Sequence, residues 1–542
     1  MESKALENLR VLIVDDQRSF QLMFKGILYS MGATNVAFAP TGEQALAKCF
    51  NADYDVLFVD YHLGTGKTGK QLLEDLREKK LLKPSSIFMI VTSENTVPMV
   101  MSAVELEPDD YLIKPFSQRV LRNRIAKIQQ KKQQLKALYQ AMHDDQHDQV
   151  IERCQKEISE TGRYQQFCKR VLAETLLNQQ QFDAAEQVLS QNLQQHRSGW
   201  ALVLQARICF SKQDYQGCLA LCDEALENNR YFAEALDLKA RCYMAQSSPE
   251  AALKAIQQAV EVAPHSIQRQ YLVLDIARAL KDTPQQVIAS KQLYEITRRS
   301  LKQDVMHLQN YIRTVIEAAM DSEDPQQKNR YQQETLIALQ RARLDESMIR
   351  DIDFDLFEVL CQARLESLSG QQFQAKRTYA SVADLLTEQE HSLADAVMLL
   401  NQIGEYEEAE SLQQKLPESA KSNPLLGAML QRQTENTTER RRHFAEYNKE
   451  GIKLYKSGQY QQAAQQFEQA LELAPMNTGA ALNYIQSLLQ LLSQPQSKVG
   501  DAFERCRKTF RVVDHMPLPE HHRIRYQELQ SRFEKLRTER RR

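Results

Sequence analysis

The segment VLFVD at residues 56–60 is a short apolar run that ends in a carboxylate, and the chain uses this pattern twice. An earlier run, VLIV at residues 11–14, ends in Asp15 and Asp16. Neighbouring parallel strands that both end in acids crowd like charges at one edge of a sheet. Such crowding is costly unless a hard cation, which prefers oxygen ligands, lies among the carboxylates. The pattern therefore predicts a cation site at a sheet edge.

Two further strand-like runs end in Thr92 and in Lys114. The predicted strands are Arg10–Val14, Asn35–Ala39, Val56–Val59, Ile87–Val91 and Tyr111–Ile113. The amphipathic stretches between and after them are Phe20–Met31, Gly42–Phe50, Lys70–Lys79, Val97–Leu106 and one that begins at Gln118. This alternation predicts a doubly wound α/β domain with a five-stranded parallel sheet. Ligands of such sheets bind at the carboxyl ends of the strands, so acids, a hydroxyl and a lysine there indicate a phosphoryl-accepting site.

Residues 8–128 resemble the receiver domain of two-component response regulators, such as the chemotaxis regulator. The resemblance consists of V-L-I-V-D-D, L-F-V-D, I-V-T-S and Y-L-I-K-P-F, in this order and at the family spacing. It implies a flavodoxin-like fold. It also implies that Asp60 is the phosphoacceptor, which attacks a phosphohistidine on a sensor histidine kinase or a phosphotransfer protein.

The resemblance implies a Mg²⁺ cofactor as well. Asp60 and Asp16 would be direct ligands, Asp15 would act through water, and the backbone carbonyl of His62 would be a further ligand. Oxygen ligands of this kind suit a small hard cation. The metal would offset charge on the acids and on the transferring phosphoryl group.

Three more residues take roles from the same resemblance. Lys114 would pair with a phosphate oxygen, and Thr92 would donate its hydroxyl to another. Tyr111 matches the aromatic switch that turns inward when the threonine moves. The peptide between Lys114 and Pro115 is expected to be cis, which a bond before proline adopts at low cost.

The loop after Asp60 departs from the family pattern. Residues 61–69 form a loop that is one residue longer, lacks the usual proline, and has Thr68 before Gly69. These differences bear on the lifetime of the phosphorylated form and on kinase docking, and not on the acceptor chemistry.

After residue 130 the strand signals vanish and a period of 34 residues appears. It is clearest in Phe444–Asn477, whose small, aromatic and proline positions are Gly451, Gly458, Ala463, Phe467, Ala470 and Pro475. This unit resembles the tetratricopeptide repeat. Other units in this pattern are Gln166–Ser198, Gly199–Phe232, Ala233–Ser266, Ile267–Ser300, Asp353–Glu388 and Ser392–Leu416. Because one helix pair cannot bury its apolar face alone, such units stack into an all-α solenoid.

The sequence thus predicts a multidomain chain. In order, we expect a receiver at residues 1–128, a connecting helix with a degenerate first helical pair at 129–164, tetratricopeptide-like repeats at 165–416, an irregular hinge at 417–443, and a C-terminal tetratricopeptide unit with a helical cap at 444–542. The hinge is expected because Pro417, Pro424 and the pair Thr437–Thr438 break the periodicity.

The segment from Leu121 to Leu138 leaves two interpretations open. Apolar side chains form one helical stripe at Leu121, Ile125, Ile128 and Leu135, but Lys132 interrupts it. The stripe could form a short coiled-coil dimer. Alternatively, it belongs to the last receiver helix running on into the next domain.

Cysteine usage favours a reducing compartment. The nine cysteines are odd in number and scattered, which fits free thiols in the cytoplasm. Cys209, Cys218 and Cys222 occupy repeat positions that usually hold small buried residues, so we expect them to pack in the core rather than to bind zinc. The first residues show no secretory segment, and no apolar stretch approaches the roughly 18 residues of a membrane span.

The leading functional prediction is a response regulator whose repeats bind a protein partner. Phosphorylation is expected to alter the face of the fourth and fifth receiver helices, and the fifth leads directly into the repeats. We expect no enzyme activity beyond phosphoryl transfer to Asp60 and its hydrolysis. The alternative is a transcriptional regulator that binds DNA through an unrecognised helical element. A formal net charge of −2 argues against nucleic-acid binding.

Overall fold

The structure is a computed structural model that divides into two compact units, Met1–His307 and Leu308–Arg542. It describes residues 6–64, 66–93, 96–298, 303–345, 349–387, 392–418, 423–493, 499–518 and 520–539. Among these residues, every helix is too short or too polar to cross a membrane.

The first unit opens with the predicted five-stranded parallel sheet. Its strands are β1 (Arg10–Val14), β2 (Asn35–Ala39), β3 (Val56–Val59), β4 (Ile87–Thr92) and β5 (Asp110–Ile113). They lie in the order β2-β1-β3-β4-β5, and every neighbouring pair is parallel. Val14 of β1 is in register with Val59 of β3. The residues that follow these two, Asp15 and Asp60, therefore reach the same edge of the sheet.

Helices cover both faces of this sheet. They are α1 (Arg18–Ser30), α2 (Gly42–Asn51), α3 (Gly69–Glu78), α4 (Val97–Val104) and α5 (Gln118–Gln134). Ile13 packs with Phe24 of α1 and Leu121 of α5, whereas its neighbour Leu12 packs with Leu73 of α3 on the opposite face. The central strands β3 and β4 are buried along their whole length, and they are almost entirely apolar because helices cover both of their faces.

The link into the repeats is a broken helix, and its apolar stripe is buried inside this chain. α5 ends at Gln134, and α6 (Lys136–His143) begins after one residue of non-helical backbone at Leu135. Leu121 belongs to the receiver core, and Leu135 belongs to the core of the following helices. Lys132, which interrupts the stripe, donates to Asp109 at 2.8 Å. The coiled-coil interpretation of this stripe is therefore wrong, and the last receiver helix leads into the next domain.

Helices fill the rest of the first unit, and those from α8 onward form successive antiparallel pairs. They are α7 (His147–Ser159), α8 (Gln165–Asn178), α9 (Phe182–Gln195), α10 (Gly199–Ser211), α11 (Tyr215–Asn228), α12 (Ala233–Ala245), α13 (Pro249–Val262), α14 (Ile267–Ala279) and α15 (Thr283–Thr297). The four pairs from α8 to α15 coincide with the predicted repeat units. Cys218 and Cys222 are buried among apolar side chains, as predicted, whereas Cys209 packs against the same cluster but is only partly buried.

The second unit is also helical. It contains α16 (Val305–Asp321), which begins just before the boundary, α17 (Pro325–Arg343), α18 (Phe354–Leu368), α19 (Gln372–Ala380), α20 (Leu393–Ile403), α21 (Tyr406–Gln414), α22 (Pro424–Lys456), α23 (Tyr460–Leu473), α24 (Thr478–Leu492), α25 (Val499–Asp514) and α26 (Glu520–Glu539). A short 3₁₀ helix covers Ala383–Thr387.

The predicted hinge at residues 417–443 is wrong, because α22 runs unbroken from Pro424 to Lys456. Pro424 occupies the first turn of the helix, where its missing N–H costs nothing. The Asn423 side chain caps that turn by accepting from two backbone N–H groups. Thr437 fits within the helix because its hydroxyl donates back to the carbonyl of Gln433 at 2.7 Å. Residues 419–422 of the predicted hinge lie outside the described residues.

A buried charge network ties α16 to the following repeats, and sequence reasoning did not find it. Arg313 on α16 donates to Asp395 on α20, with Nη2–Oδ2 at 2.6 Å and Nε–Oδ1 at 3.0 Å. Arg364 on α18 lies 3.7 Å from the same carboxylate and donates to Glu317 at 2.7 Å. Arg313, Arg364 and Asp395 are at most 1% exposed. The network therefore joins three helices, and its two most distant members, Arg313 and Asp395, are 82 residues apart in the sequence.

Asp395→Asn should strongly destabilise the second unit, because it leaves two buried guanidinium groups without their shared carboxylate. Removing one member of a buried ion pair typically costs about 3–5 kcal/mol. For a unit of this size that corresponds to a melting temperature lower by about 10 °C. Calorimetry of the full chain measures it. The control Arg343→Ala removes an exposed ion-pair partner on α17 and should change little. Equal shifts for the two variants would contradict the assignment.

Candidate functional site

Backbone hydrogen bonds that continue the sheet ladder position the charged groups at the carboxyl edge. The Asp60 N–H donates to the carbonyl of Val14 at 2.8 Å. The Lys114 N–H donates to the carbonyl of Thr92 at 2.7 Å. Because the rigid sheet fixes these backbones, the side chains of Asp60, Lys114 and Thr92 start from neighbouring points.

Lys114 bridges two carboxylates. Its Nζ lies 2.7 Å from Oδ2 of Asp15 and 2.7 Å from Oδ2 of Asp60. It also lies over the ring of Phe20, 3.7 Å from the centroid. Asp15 is 1% exposed and Asp60 is 7% exposed. The three charges predicted from three separate strand ends therefore form one compact, nearly dry cluster.

The Asp15 carboxylate is held by several bonds, yet its charge remains disfavoured. The Asp15 Oδ1 accepts from the backbone N–H of Gln17 at 2.8 Å. The Gln21 side chain donates to the backbone carbonyl of Asp15 at 2.6 Å. Burial raises the pKa of Asp15, and the bonds from Lys114 and Gln17 oppose that rise only in part. A further cation near this carboxylate would relieve the cost of its burial.

The remaining predicted residues flank this cluster. Asp16 is exposed, and its carboxylate lies beside Gly64 of the acceptor loop. The His62 backbone N–H donates to Oδ1 of Asp60 at 3.2 Å, so the main chain of His62 borders the acid. Thr92 is buried, and Tyr111 is partly exposed beside the apolar cluster that contains Tyr61.

The donor set is chemically suited to a hard divalent cation. Two carboxylate oxygens converge on one point, which Lys114 Nζ marks, and Asp16 adjoins them in sequence. Among the described residues no three acids, histidines or cysteines are already gathered around a common centre. Asp15, Asp16, Asp60 and the His62 carbonyl are the oxygen groups within this cluster that could hold Mg²⁺. The peptide between Lys114 and Pro115 is cis, as predicted.

The acceptor loop returns to the sheet at Gly69. The Gly69 N–H donates to the carbonyl of Tyr61 at 2.8 Å. A Cβ at Gly69 would lie 2.3 Å from the carbonyl oxygen of Asp60. Thr68 and Gln71 form a reciprocal capping box that starts α3. The first turn of α3 is therefore packed against the backbone of Asp60 itself.

Sequence reasoning missed a set of contacts between the receiver and the repeats of the same unit. Lys70 Nζ donates to the carbonyl of His265 at 2.6 Å, and the Gln71 side chain donates to the carbonyl of Ile296 at 2.9 Å. Lys70 is 7% exposed. The sequence carries no signal for these contacts, because Lys70 and Gln71 are two of six polar residues in α3.

A second contact of this set involves the residue just after α4. Glu105 accepts from Arg269 of α14 at 2.7 Å, and Arg269 also donates to Asp237 of α12 at 2.7 and 2.8 Å. Arg269 is 3% exposed. Although burial disfavours its charge, Asp237 and Glu105 hold the pKa of Arg269 above its ordinary value.

A cleft of about 830 Å³ lies between these two points of contact. The receiver contributes His62 and Thr68 to its wall, and the repeats contribute Arg207, Arg241 and Arg298. The loop that follows the acceptor is thus open to solvent on one side and faces the repeats across this cleft.

Gly69→Ala should destabilise the receiver by about 1–3 kcal/mol, because the added Cβ would collide with the backbone oxygen of Asp60. Thermal denaturation followed by circular dichroism measures it. Gly26→Ala is the matched control, since Gly26 lies inside α1 with no atom within 4 Å of an added Cβ. That control should be neutral or stabilising by up to about 1 kcal/mol. A Gly69→Ala protein as stable as wild type would contradict the packing described.

Comparison with known proteins agrees with this geometry. Residues 11–126 match the family Response regulator receiver domain, and residues 444–477 match the family Tetratricopeptide repeat. Chemotaxis protein CheY of Pseudomonas aeruginosa is 33% identical over 120 residues, which are 22% of this chain and 95% of that protein. Chemotaxis protein CheY-3 of Vibrio cholerae is 30% identical over 128 residues, which are 24% of this chain and 97% of that protein. A solved structure of Vibrio cholerae CheY4 is 26% identical, covers 22% of this chain and 98% of its own, and has a TM-score of 0.20. The chain belongs to the response regulator family through its N-terminal receiver domain, and it carries a tetratricopeptide repeat in its helical region.

Proposed function

We propose that this chain is the response regulator of a phosphorelay whose repeats bind a protein partner under receiver control. Asp60 accepts a phosphoryl group from a phosphohistidine on a sensor histidine kinase or a phosphotransfer protein. The observation that carries this proposal is the convergence of Asp15, Asp60 and Lys114 at the carboxyl edge of the sheet.

The transfer requires little movement of the acceptor. A carboxylate oxygen of Asp60 attacks phosphorus, the P–N bond of the phosphohistidine breaks, and an acyl phosphate forms while the histidine keeps the electron pair of that bond. Lys114, already 2.7 Å from Asp60, then pairs with a phosphoryl oxygen, and the hydroxyl of Thr92 donates to another. Asp16, Asp60 and the carbonyl of His62, with Asp15 acting through water, would hold Mg²⁺, which would neutralise charge on the acids and on the phosphoryl group.

Receiver control acts through the contacts of α3 and α4 with the repeats. The carbonyl of Asp60 abuts Gly69, and the next two residues, Lys70 and Gln71, hold backbone carbonyls of the repeats. A structural change at Asp60 can therefore be transmitted to these repeat carbonyls through the first turn of α3. This route adds to the expected covalent one through α5, which leads into α6 after one residue of non-helical backbone at Leu135.

The contact at Glu105 gives Thr92 a parallel route. α4 follows the strand that ends in Thr92, and Glu105 follows α4. Movement of Thr92 toward a phosphoryl group would shift this helix against Arg269. Because Arg269 is buried between Glu105 and Asp237, displacement of either carboxylate is costly. The receiver thus favours one arrangement of the repeats when Asp60 is unmodified and another when it is phosphorylated.

The repeats carry the output. Stacked helix pairs present an extended surface to peptides or helices. The chain's own chemistry is limited to phosphoryl transfer to Asp60 and its hydrolysis. A cytoplasmic location is part of the proposal, and the nine free cysteines support it.

Incubation with acetyl phosphate should add one phosphoryl group at Asp60 only when a divalent metal is present. The metal is needed because the cluster is already acidic and gains further negative charge. Intact-mass measurement with Mg²⁺ and with excess chelator tests this. Asp60→Asn should abolish the adduct, and Asp16→Ala should reduce its yield by removing a metal ligand. An adduct of equal yield in chelator, or on Asp60→Asn, would overturn the acceptor assignment.

The double variant Lys70→Met, Glu105→Gln should bind the phosphate mimic beryllofluoride, with Mg²⁺, about fivefold more tightly than wild type. Coupling between two sites is reciprocal, so loosening contacts that favour the unmodified receiver must favour the modified one. Titration followed by fluorescence or calorimetry gives the affinities.

The matched control is Glu78→Gln, which neutralises an exposed acid near the other end of α3. Its affinity should equal that of wild type. If the double variant also binds like wild type, the repeats are not coupled to the receiver through these contacts, although the acceptor chemistry would stand.

A further inference from the structure

A groove of about 690 Å³ in the second unit has an unusual charge distribution. It lies between the start of α19 and the C-terminal half of α25. Its lining residues are Gly370, Gln371, Gln372, Phe373, Gln374, Arg377, Lys508, Arg511, Val512 and His515. This set contains three Lys or Arg side chains, one histidine, a phenylalanine and a valine, and it includes no acid.

One wall of the groove is a single face of α25. Lys508, Arg511, Val512 and His515 are spaced i, i+3, i+4 and i+7, which places them on one stripe of a helix. The His515 ring is fixed because its Nδ1 donates to the carbonyl of Arg511 at 2.6 Å. Two exposed cations, Lys508 and Arg511, thus lie beside the apolar side chain of Val512 along this wall.

The other wall is the exposed face of α19. Phe373 and Arg377 are four residues apart, and Phe373 remains 38% exposed. Gly370, with φ of +78°, makes the turn that precedes the helix. The first turn of α19 has no side-chain cap, so its N–H groups add to the positive character of the groove.

These cations differ from others on the same helix. Arg505 pairs with Glu468 of α23, and Arg507 pairs with Glu504 at 2.7 Å. In the part of the chain that the structure describes, no carboxylate lies within 4.0 Å of the cationic groups of Arg377, Lys508 or Arg511. In a chain with 71 acids and 69 Lys or Arg residues, three unpaired cations around one phenylalanine are a local excess of positive charge.

We propose that this groove binds a short acidic segment of a partner protein, with an apolar side chain of that segment seated on Phe373 and Val512. The cations would pair with its Asp or Glu residues at the rim, where such pairs give specificity and faster association. This inference deepens the proposed function, since it assigns one contact surface and the chemistry of the partner.

The surroundings of the groove favour a peptide over a nucleic acid. Glu504 lies one turn before Lys508 on the same stripe of α25, and Asp501 lies in the first turn of the helix. Both side chains are exposed, at 66% and 80%. Because Arg507 pairs with Glu504 and Arg505 pairs with Glu468 and Asp501, a continuous polyanion would meet no further unpaired cation along this described part of α25, whereas a short segment needs only the groove.

A phage-displayed library of random peptides, selected on the full-length protein, tests the proposal. The peptides that depend on this groove should be rich in Asp and Glu around one or two apolar residues. Their affinity, measured by fluorescence anisotropy with synthetic copies, should fall about tenfold for Lys508→Glu, Arg511→Glu, because each substitution replaces attraction by repulsion. Phe373→Ser should weaken the same peptides.

The matched control is Lys449→Glu, which reverses an exposed cation on α22 outside the groove and should leave binding unchanged. Circular dichroism melting of each variant shows that the fold is retained. The proposal is overturned if selection yields no acidic peptide, if binding survives both groove variants, or if a single-stranded oligonucleotide binds with the same dependence while the peptides do not. None of these outcomes depends on phosphorylation of Asp60, so they leave the acceptor assignment unaffected.

Discussion

The shared use of Lys114 by Asp15 and Asp60 is the interaction on which the receiver half of this protein depends. Two carboxylates that are almost fully buried at one sheet edge would repel one another, and the lysine that follows β5 is 2.7 Å from both. The parallel register of β1 and β3 forces this proximity. An acid that must be buried beside another acid needs cations, and a site that holds cations next to a nucleophilic carboxylate is suited to phosphoryl transfer.

Tight backbone packing connects the charged cluster at the sheet edge to the start of α3. Gly69 allows the start of α3 to lie against the carbonyl of Asp60, and the residues that follow it hold the repeats. Buried polar contacts of this kind have discrete arrangements rather than continuous ones. The receiver and the repeats of the first unit therefore share polar contacts that begin at the residue after Gly69. This gives a physical basis for a chain that combines a small signalling domain with a long helical array.

The second unit uses charge in two opposite ways. In its core, the buried Arg313 donates to the buried Asp395, and the buried Arg364 donates to Glu317 and lies 3.7 Å from Asp395, which specifies how three helices meet. On its surface, the cations of the groove between α19 and α25 are left without acidic partners among the described residues. A buried ion pair inside a helical array fixes how its helices pack. An unpaired cation beside an exposed phenylalanine is available to bind a partner protein.

The sequence by itself determined the sheet, its helices and the cluster of Asp15, Asp60 and Lys114, because strand ends in a parallel sheet must meet at one edge. It also determined the repeat pairs whose small residues recur every 34 positions. It did not determine the α22 helix, because a proline such as Pro424 suggests a helix break unless it is known to occupy the first turn. Only the tertiary structure decided that Lys70 and Glu105 contact the repeats, and that Arg313 meets Asp395. These pairs lie 82 to 195 residues apart, and no local periodicity encodes a partner at that distance.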